Sequence, residues 1–348
     1  PVQRAMASPG GRGRGDLSDD LYALGVTIVI LIFGKNVIQY KTSLELLEAK
    51  IEQGSYAALC GKQRILLSLL ELLRGILSDD VLDRWDIEKV DLWIAGKRQT
   101  PMQRKASIKS ITPYIFMGKE YFNPRILAHA FTLNVKEGAD SIKDESLAKW
   151  LKKSLDKDDL SQSISALAAA AELQKNQVRG SDDYVVTKAS ILMDPIGPIR
   201  YKGFSFVPDG YGSALAVDLL RRNSMQTGAE ILRHRIPEIW YDAPTEELRD
   251  DNAFGVQSVF NKMRKLLISD GPGFGIERCL YELNSSLSCQ SPLISGQYVI
   301  NINDLLPALD TAANQIDKNL RPLDRHVTAF IAARFKEPID RHLKKLSE

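Results

Sequence analysis

"GRGRGDLSDDLYALGVTIVILIFGKN", residues 11–36, is the stretch whose reading decides the fold. A basic, glycine-rich lead runs into a block from Ala23 to Phe33 that carries no charge and only Gly25 and Thr27 among its apolar side chains. A helix that crosses a bilayer needs about 20 apolar residues. This block is shorter and stops at Gly34-Lys35-Asn36, a glycine followed by a cation. In front of it, Ser18-Asp19-Asp20 offers an N-cap and negative charge at the positive end of the helix dipole. The expectation is a helix apolar on all sides, buried at the centre of a water-soluble helical unit.

The neighbouring segments have the pattern needed to surround such a helix. Residues 43–56 place Leu44, Leu47 and Ile51 at helical spacing before a glycine stop. Residues 61–80 read as one amphipathic helix ending at Ser78-Asp79-Asp80. Residues 83–98 gather Trp85, Ile87, Val90 and Trp93 on one side.

At this point the residues resemble a known family. Residues about 4–97 are similar to the end of the C-terminal lobe of eukaryotic-like Ser/Thr protein kinases. Asp20-Leu21-Tyr22-Ala23-Leu24-Gly25-Val26 is similar to the D-x-Y-[SA]-L-G-V opening of that lobe's central helix. "LLRGILSDDVLDRW" (72–85) is similar to the L-L-x-G-L-L-x-x-D-P-x-x-R-W stretch near its end, and 47–56 to the helix and exit between them. The resemblance implies four landmarks. Asp20 would hold the backbone of a catalytic loop by accepting amide hydrogen bonds, or act as a plain helix N-cap. Gly25 and Trp85 would belong to the packed interior. Arg84 would pair with the glutamate of an A-P-E motif. Here Ala7-Ser8-Pro9-Gly10 falls near that motif, with Gly10 in place of the glutamate, so Arg84 must reach another acceptor or solvent.

Phosphoryl transfer of this type needs a glycine-rich loop, a strand lysine, an H-R-D loop and a D-F-G metal ligand. None is present. Arg-His-Arg at 233–235 and Asp-Arg-His at 324–326 and 340–342 are not H-R-D, and 270–275 is not D-F-G. The site expectation is therefore no catalytic, cofactor-binding or metal-binding residue in this chain, with ATP and Mg²⁺ entering only if upstream residues supply the missing parts. The chain opens on Pro1 with no signal pattern, which reads as the C-terminal portion of a longer protein.

Residues 96–114 read as a basic, proline-punctuated linker. Residues 116–174 read as three helices, with Asn123 as a cap, Pro124 at the first helical position, and Leu147, Trp150, Leu151 and Leu155 on one face. His129 reads as a packed or half-exposed histidine, because no second ligand stands four residues away. Residues 182–220 break the helical rhythm with prolines and glycines, and a short β-hairpin is expected at 199–207, then a helix from near Ser213. Gly271-Pro272-Gly273-Phe274-Gly275 reads as a turn between helices rather than a phosphate loop. Residues 303–348 give two more helices joined at Pro322, and no fixed-period repeat is evident.

Composition agrees with a soluble globular chain. Of 348 residues, 44% are hydrophobic and 26% charged, and the net charge of +2 points to no nucleic-acid partner. Cys60, Cys279 and Cys289 form no metal or disulfide spacing, which fits reduced thiols in a cytoplasmic protein.

Together these observations predict a mainly α fold, a kinase C-lobe-like helical unit followed by a helical array with a short irregular or β-hairpin insertion. The expected domains are 1–97, 98–190 and 191–348. The expected function is the C-terminal portion of a Ser/Thr protein kinase-like protein, inactive as this chain stands. The alternative is a pseudokinase-derived helical scaffold. Either would bind a protein partner through the helical region, with no nucleic acid and no membrane.

Overall fold

The computed structural model describes residues 2–34, 40–103, 107–174, 176–243, 253–314 and 323–335, with 342 and 345. It is mainly helical, with two small antiparallel hairpins. The chain divides into two compact units. One is Pro1–Ser8, Arg12–Val207 and Ala243–Glu246; the other is Pro9–Gly11, Pro208–Asp242 and Glu247–Glu348.

In the first unit, α1 (Val2–Met6) precedes α2 (Leu17–Phe33), the helix of the opening stretch. Its cap is Asp16, whose carboxylate accepts from the Asp19 amide at 2.9 Å, two residues before the Ser18-Asp19-Asp20 cluster. Gly34 closes it with φ +74°, a conformation that favours glycine; Lys35 and Asn36 lie outside the described residues. The expectation of burial on all sides is corrected. Leu21, Tyr22, Gly25 and Val29 form one buried stripe, whereas Leu17, Leu24, Leu31 and Ile32 are exposed.

The buried stripe packs with α4 (Ser55–Cys60), α5 (Leu67–Ile76) and the residues up to α6 (Ile87–Ile94), sharing one core of Leu59, Leu72, Leu73, Ile76, Leu77 and Trp85. The helix expected over 61–80 is shorter, covering only Leu67–Ile76. Gly61, at φ +57°, ends α4, and helix resumes only at Leu67. Trp85 precedes α6 rather than lying on its face, and Ile87 is exposed.

A second core in this unit combines α1 and α3 (Ser43–Gln53) with residues 114–193. A hairpin of β1 (Tyr114–Phe116) and β2 (Lys119–Tyr121) leads into α7 (Pro124–Leu133), where Asn123 caps and Pro124 is the first helical residue, as the sequence predicted. Four helices follow the hairpin rather than three across 116–174: α7, α8 (Val135–Lys143), α9 (Ser146–Leu155) and α10 (Asp158–Leu173). Then come α11 (Asp182–Met193) and the expected second hairpin, β3 (Ile199–Tyr201) with β4 (Phe204–Phe206).

The second unit contains α12 (Tyr211–Arg222), α13 (Gln226–Arg233), α14 (Ile236–Asp242), α15 (Ala253–Ile268), α16 (Ile276–Leu283), α17 (Leu305–Ala313) and α18 (Arg325–Arg334). The glycine turn between α15 and α16 is present, with positive φ at Gly271, Gly273 and Gly275. Tyr211 packs on Phe260, and Tyr281 meets Phe330 edge-on at 5.3 Å. Pro322 lies outside the described residues.

The element order exposes a recurrence that the sequence reading missed. Both hairpins follow a proline, Pro113 or Pro198, and turn through two residues of positive φ: Met117-Gly118 and Lys202-Gly203. Each hairpin is followed by a helix (α7 or α12), a helix bearing Gly-Ala (138–139 or 228–229), and a helix bearing tryptophan (Trp150 or Trp240). The glycines do the same job. A Cβ at Gly138 would lie 3.0 Å from the Phe131 side chain, and one at Gly228 would lie 2.2 Å from the Leu215 side chain. In each copy the absent side chain lets the second helix press onto the first.

Candidate functional site

Three of the four landmark residues meet at one junction. Arg84 has no exposed side-chain surface. Its Nε donates to the Ser78 carbonyl at 2.9 Å, and its Nη1 to the Ser18 hydroxyl at 2.9 Å and carbonyl at 3.1 Å. Asp19 stands 3.8 Å from Nη1, and the guanidinium lies 5.4 Å from the Tyr22 ring centre. Arg84 thus ties the first turn of α2 to the segment after α5. Burial lowers its pKa, and the Asp19 carboxylate opposes that shift. Its remaining nitrogen, Nη2, is buried without a hydrogen-bond partner among the described residues.

Trp85 and Gly25 complete the junction by close packing. The Trp85 amide bonds the Gly75 carbonyl at 3.1 Å, and its ring covers Gly75 so closely that a Cβ there would fall 2.2 Å from the indole. At Gly25 a Cβ would meet Leu77 at 2.8 Å and Ile76 at 3.0 Å, so glycine lets α2 lie against the end of α5. A buried polar chain runs beside them: Tyr22 donates to Ser55 at 2.8 Å, and the Ser55 amide and hydroxyl both donate to the Asp79 carboxylate.

Asp20 is not part of this junction. It stands exposed in the first turn of α2, and the capping role belongs to Asp16. Leu24 and Leu31, at 46% and 78% exposure, continue a solvent-facing stripe from Leu17 at 55%. Seven-residue spacing keeps the three leucines on one side of the helix. Gly10, at the position matching the A-P-E glutamate, belongs to the second unit, where a Cβ would fall 2.7 Å from Val217.

Two further groups of buried polar residues escaped the sequence reading, because their members are far apart in the chain. In the first unit Asp194 holds Arg125 at 2.8 Å, with Arg200 at 3.5 Å. In the second, the Tyr281 hydroxyl lies 3.0 Å from His326 Nδ1 and accepts from the Gln290 amide at 2.8 Å. Arg334 there donates to the carbonyls of Tyr281, Asn284 and Leu287, closing the end of α16. Burial raises the thiol pKa of Cys60 to about 11 and of Cys279 to about 12, which leaves both protonated and poorly nucleophilic at neutral pH.

Among the described residues, no group of three or more His, Cys, Asp or Glu side chains is placed to hold a metal ion. No described helix is long and apolar enough to cross a membrane. No protein-family model, curated protein or solved structure matches this chain.

Proposed function

We propose that this chain is the C-terminal portion of a Ser/Thr protein kinase-like protein, lacking the ATP site and the catalytic loop and therefore inactive by itself. The observation that carries this reading is the Arg84 junction. A buried arginine, a tryptophan on a glycine and a glycine on the end of a neighbouring helix meet at the positions the family resemblance singled out. Arg84 keeps one nitrogen unpaired among the described residues, as expected of a residue whose usual carboxylate has been replaced by Gly10. The same reading gives Asp20 and the Leu17–Leu24–Leu31 stripe a purpose, as the face on which a catalytic loop and its supporting helix would rest.

The second reading is a pseudokinase-derived scaffold that binds a protein partner through its helical region. It is favoured by Gly10 itself, which has a packing role against Val217 that a glutamate could not fill without displacing it. Calorimetry with Mg-ATP tests the shared part of both readings: no heat of binding is expected from this chain, and tight association would overturn them. The coding sequence upstream of Pro1 separates the two. A strand lysine, H-R-D and D-F-G favour the kinase, and their loss favours the scaffold.

A further inference from the structure

Inside the first unit, the junction of α7, α11 and β3 carries a charge imbalance that the kinase-like reading does not use. Arg125 stands in the first turn of α7, and His129 follows one turn later on the same side. Asp194 ends α11, and Arg200 is the middle residue of β3. The Asp194 carboxylate is fully buried: one oxygen accepts from Arg125 Nε at 2.8 Å, and the other lies 3.5 Å from Arg200 Nη2. Gly197 closes over it, since a Cβ there would fall 2.1 Å from the carboxylate. Arg200 Nη2 also reaches the weakly accepting Met6 sulfur at 3.7 Å.

Two guanidinium groups against one carboxylate leave one positive charge in excess. His129 adds none at neutral pH, because burial and the nearby Arg200 push its pKa down to about 4. Three nitrogens of this group are buried with no hydrogen-bond partner among the described residues: Arg125 Nη2, Arg200 Nε and His129 Nδ1. The Arg200 side chain is only 6% exposed, so water at the surface does not solvate it. An excess buried charge with unused donors is an expensive arrangement unless something accepts from them.

We propose that the Arg125–His129–Arg200 cluster is a binding site for one small monovalent anion of halide size. The charge count selects a monovalent ligand. The donors select an acceptor-only ligand: two are arginine N–H groups, and neutral histidine can present its Nδ1 as a third. The three donor nitrogens are buried, so a ligand at this cluster is enclosed and small.

Bromide is the probe. Crystals of the whole chain grown with sodium bromide should show an anomalous peak in contact with Arg125 Nη2 and Arg200 Nε. In solution, Tm should rise with bromide against gluconate at constant ionic strength, as for any ligand that binds only the folded state. Arg125→Gln should abolish that rise, whereas Arg278→Gln in the other unit should keep it. The Arg125 side chain is partly exposed, so its variant carries the test even if Arg200→Met does not fold. An ordered water in place of the peak, or an equal Tm rise in Arg125→Gln, would overturn the proposal.

Discussion

At the residue scale, the account turns on a few side chains whose neighbours leave no room for change. Trp85 is 2% exposed, and its truncation to alanine should cost about 3–5 kcal/mol, as large aromatic core truncations do. Gly75→Ala should destabilise as well, because the added methyl meets the indole ring rather than a flexible chain end. Chemical denaturation of each variant checks both, and an unchanged midpoint would show that the ring does not sit on Gly75. His129 gives a pH prediction. Its pKa is about 4 in the folded chain against an ordinary 6.5, so between those values the unfolded chain binds a proton that the folded chain refuses. Stability should therefore fall as pH drops through that window, by up to about 3 kcal/mol from this group. Arg200 and Asp194 are the groups that face it, Arg200 lowering its pKa and Asp194 opposing that shift. His326 is shifted in the same direction, so the comparison that isolates His129 is the slope of the parent against His129→Leu. The Arg84 partners were legible only as a need: the sequence implied that a buried guanidinium must find acceptors, and it could not say that Ser18 and Ser78 would supply them.

At the element scale, α2 shows what an apolar run does and does not reveal. Composition identified a helix too short for a bilayer, and its caps were nearly right. Composition could not say which side would be covered, because the stretch from Ala23 to Phe33 is apolar on every side and the choice belongs to its neighbours. Two substitutions separate the faces. Leu31→Glu should change stability by no more than about 0.5 kcal/mol, as at an exposed site. Val29→Asp should unfold the first core, since that side chain is fully buried. Thermal melts of the pair check this, and equal losses would mean that the stripe is covered. The Gly-Ala helices make a second test. Gly138→Ala meets the Phe131 backbone at 3.1 Å and should cost about 1–3 kcal/mol. At Gly228 the close atom is a methyl of Leu215, so Gly228→Ala combined with Leu215→Ala should lose less than the sum of the two single losses.

At the scale of the whole molecule, the recurrence of hairpin and three helices explains why a long helical region gave no periodic signal. Gly118 and Gly203 are 85 residues apart, whereas Trp150 and Trp240 are 90 apart, so no single period aligns both ends of the copies. What survives is geometry: the two-residue turn, the packing glycine and the tryptophan helix. The second hairpin was legible from the prolines and glycines that break the helical rhythm around Lys202-Gly203. The first was hidden beside a stretch dominated by helical spacing, although Met117-Gly118 is the same signal. Residues up to 97 were readable in greater detail because their landmarks fall close together in sequence, and the buried charges of residues 98–348 were not, because they converge only in space.

The account rests on α2 being held in place by the junction of Gly25, Gly75, Arg84 and Trp85. Native-state hydrogen exchange, read through residues 17–33 in the parent chain and in Trp85→Ala, measures that most directly. The account predicts protected α2 amides in the parent, and in the variant a joint loss of protection across α2 and α5 while residues 114–193 keep theirs. Free exchange of α2 in the parent, or α2 protection unchanged by the variant, would contradict it.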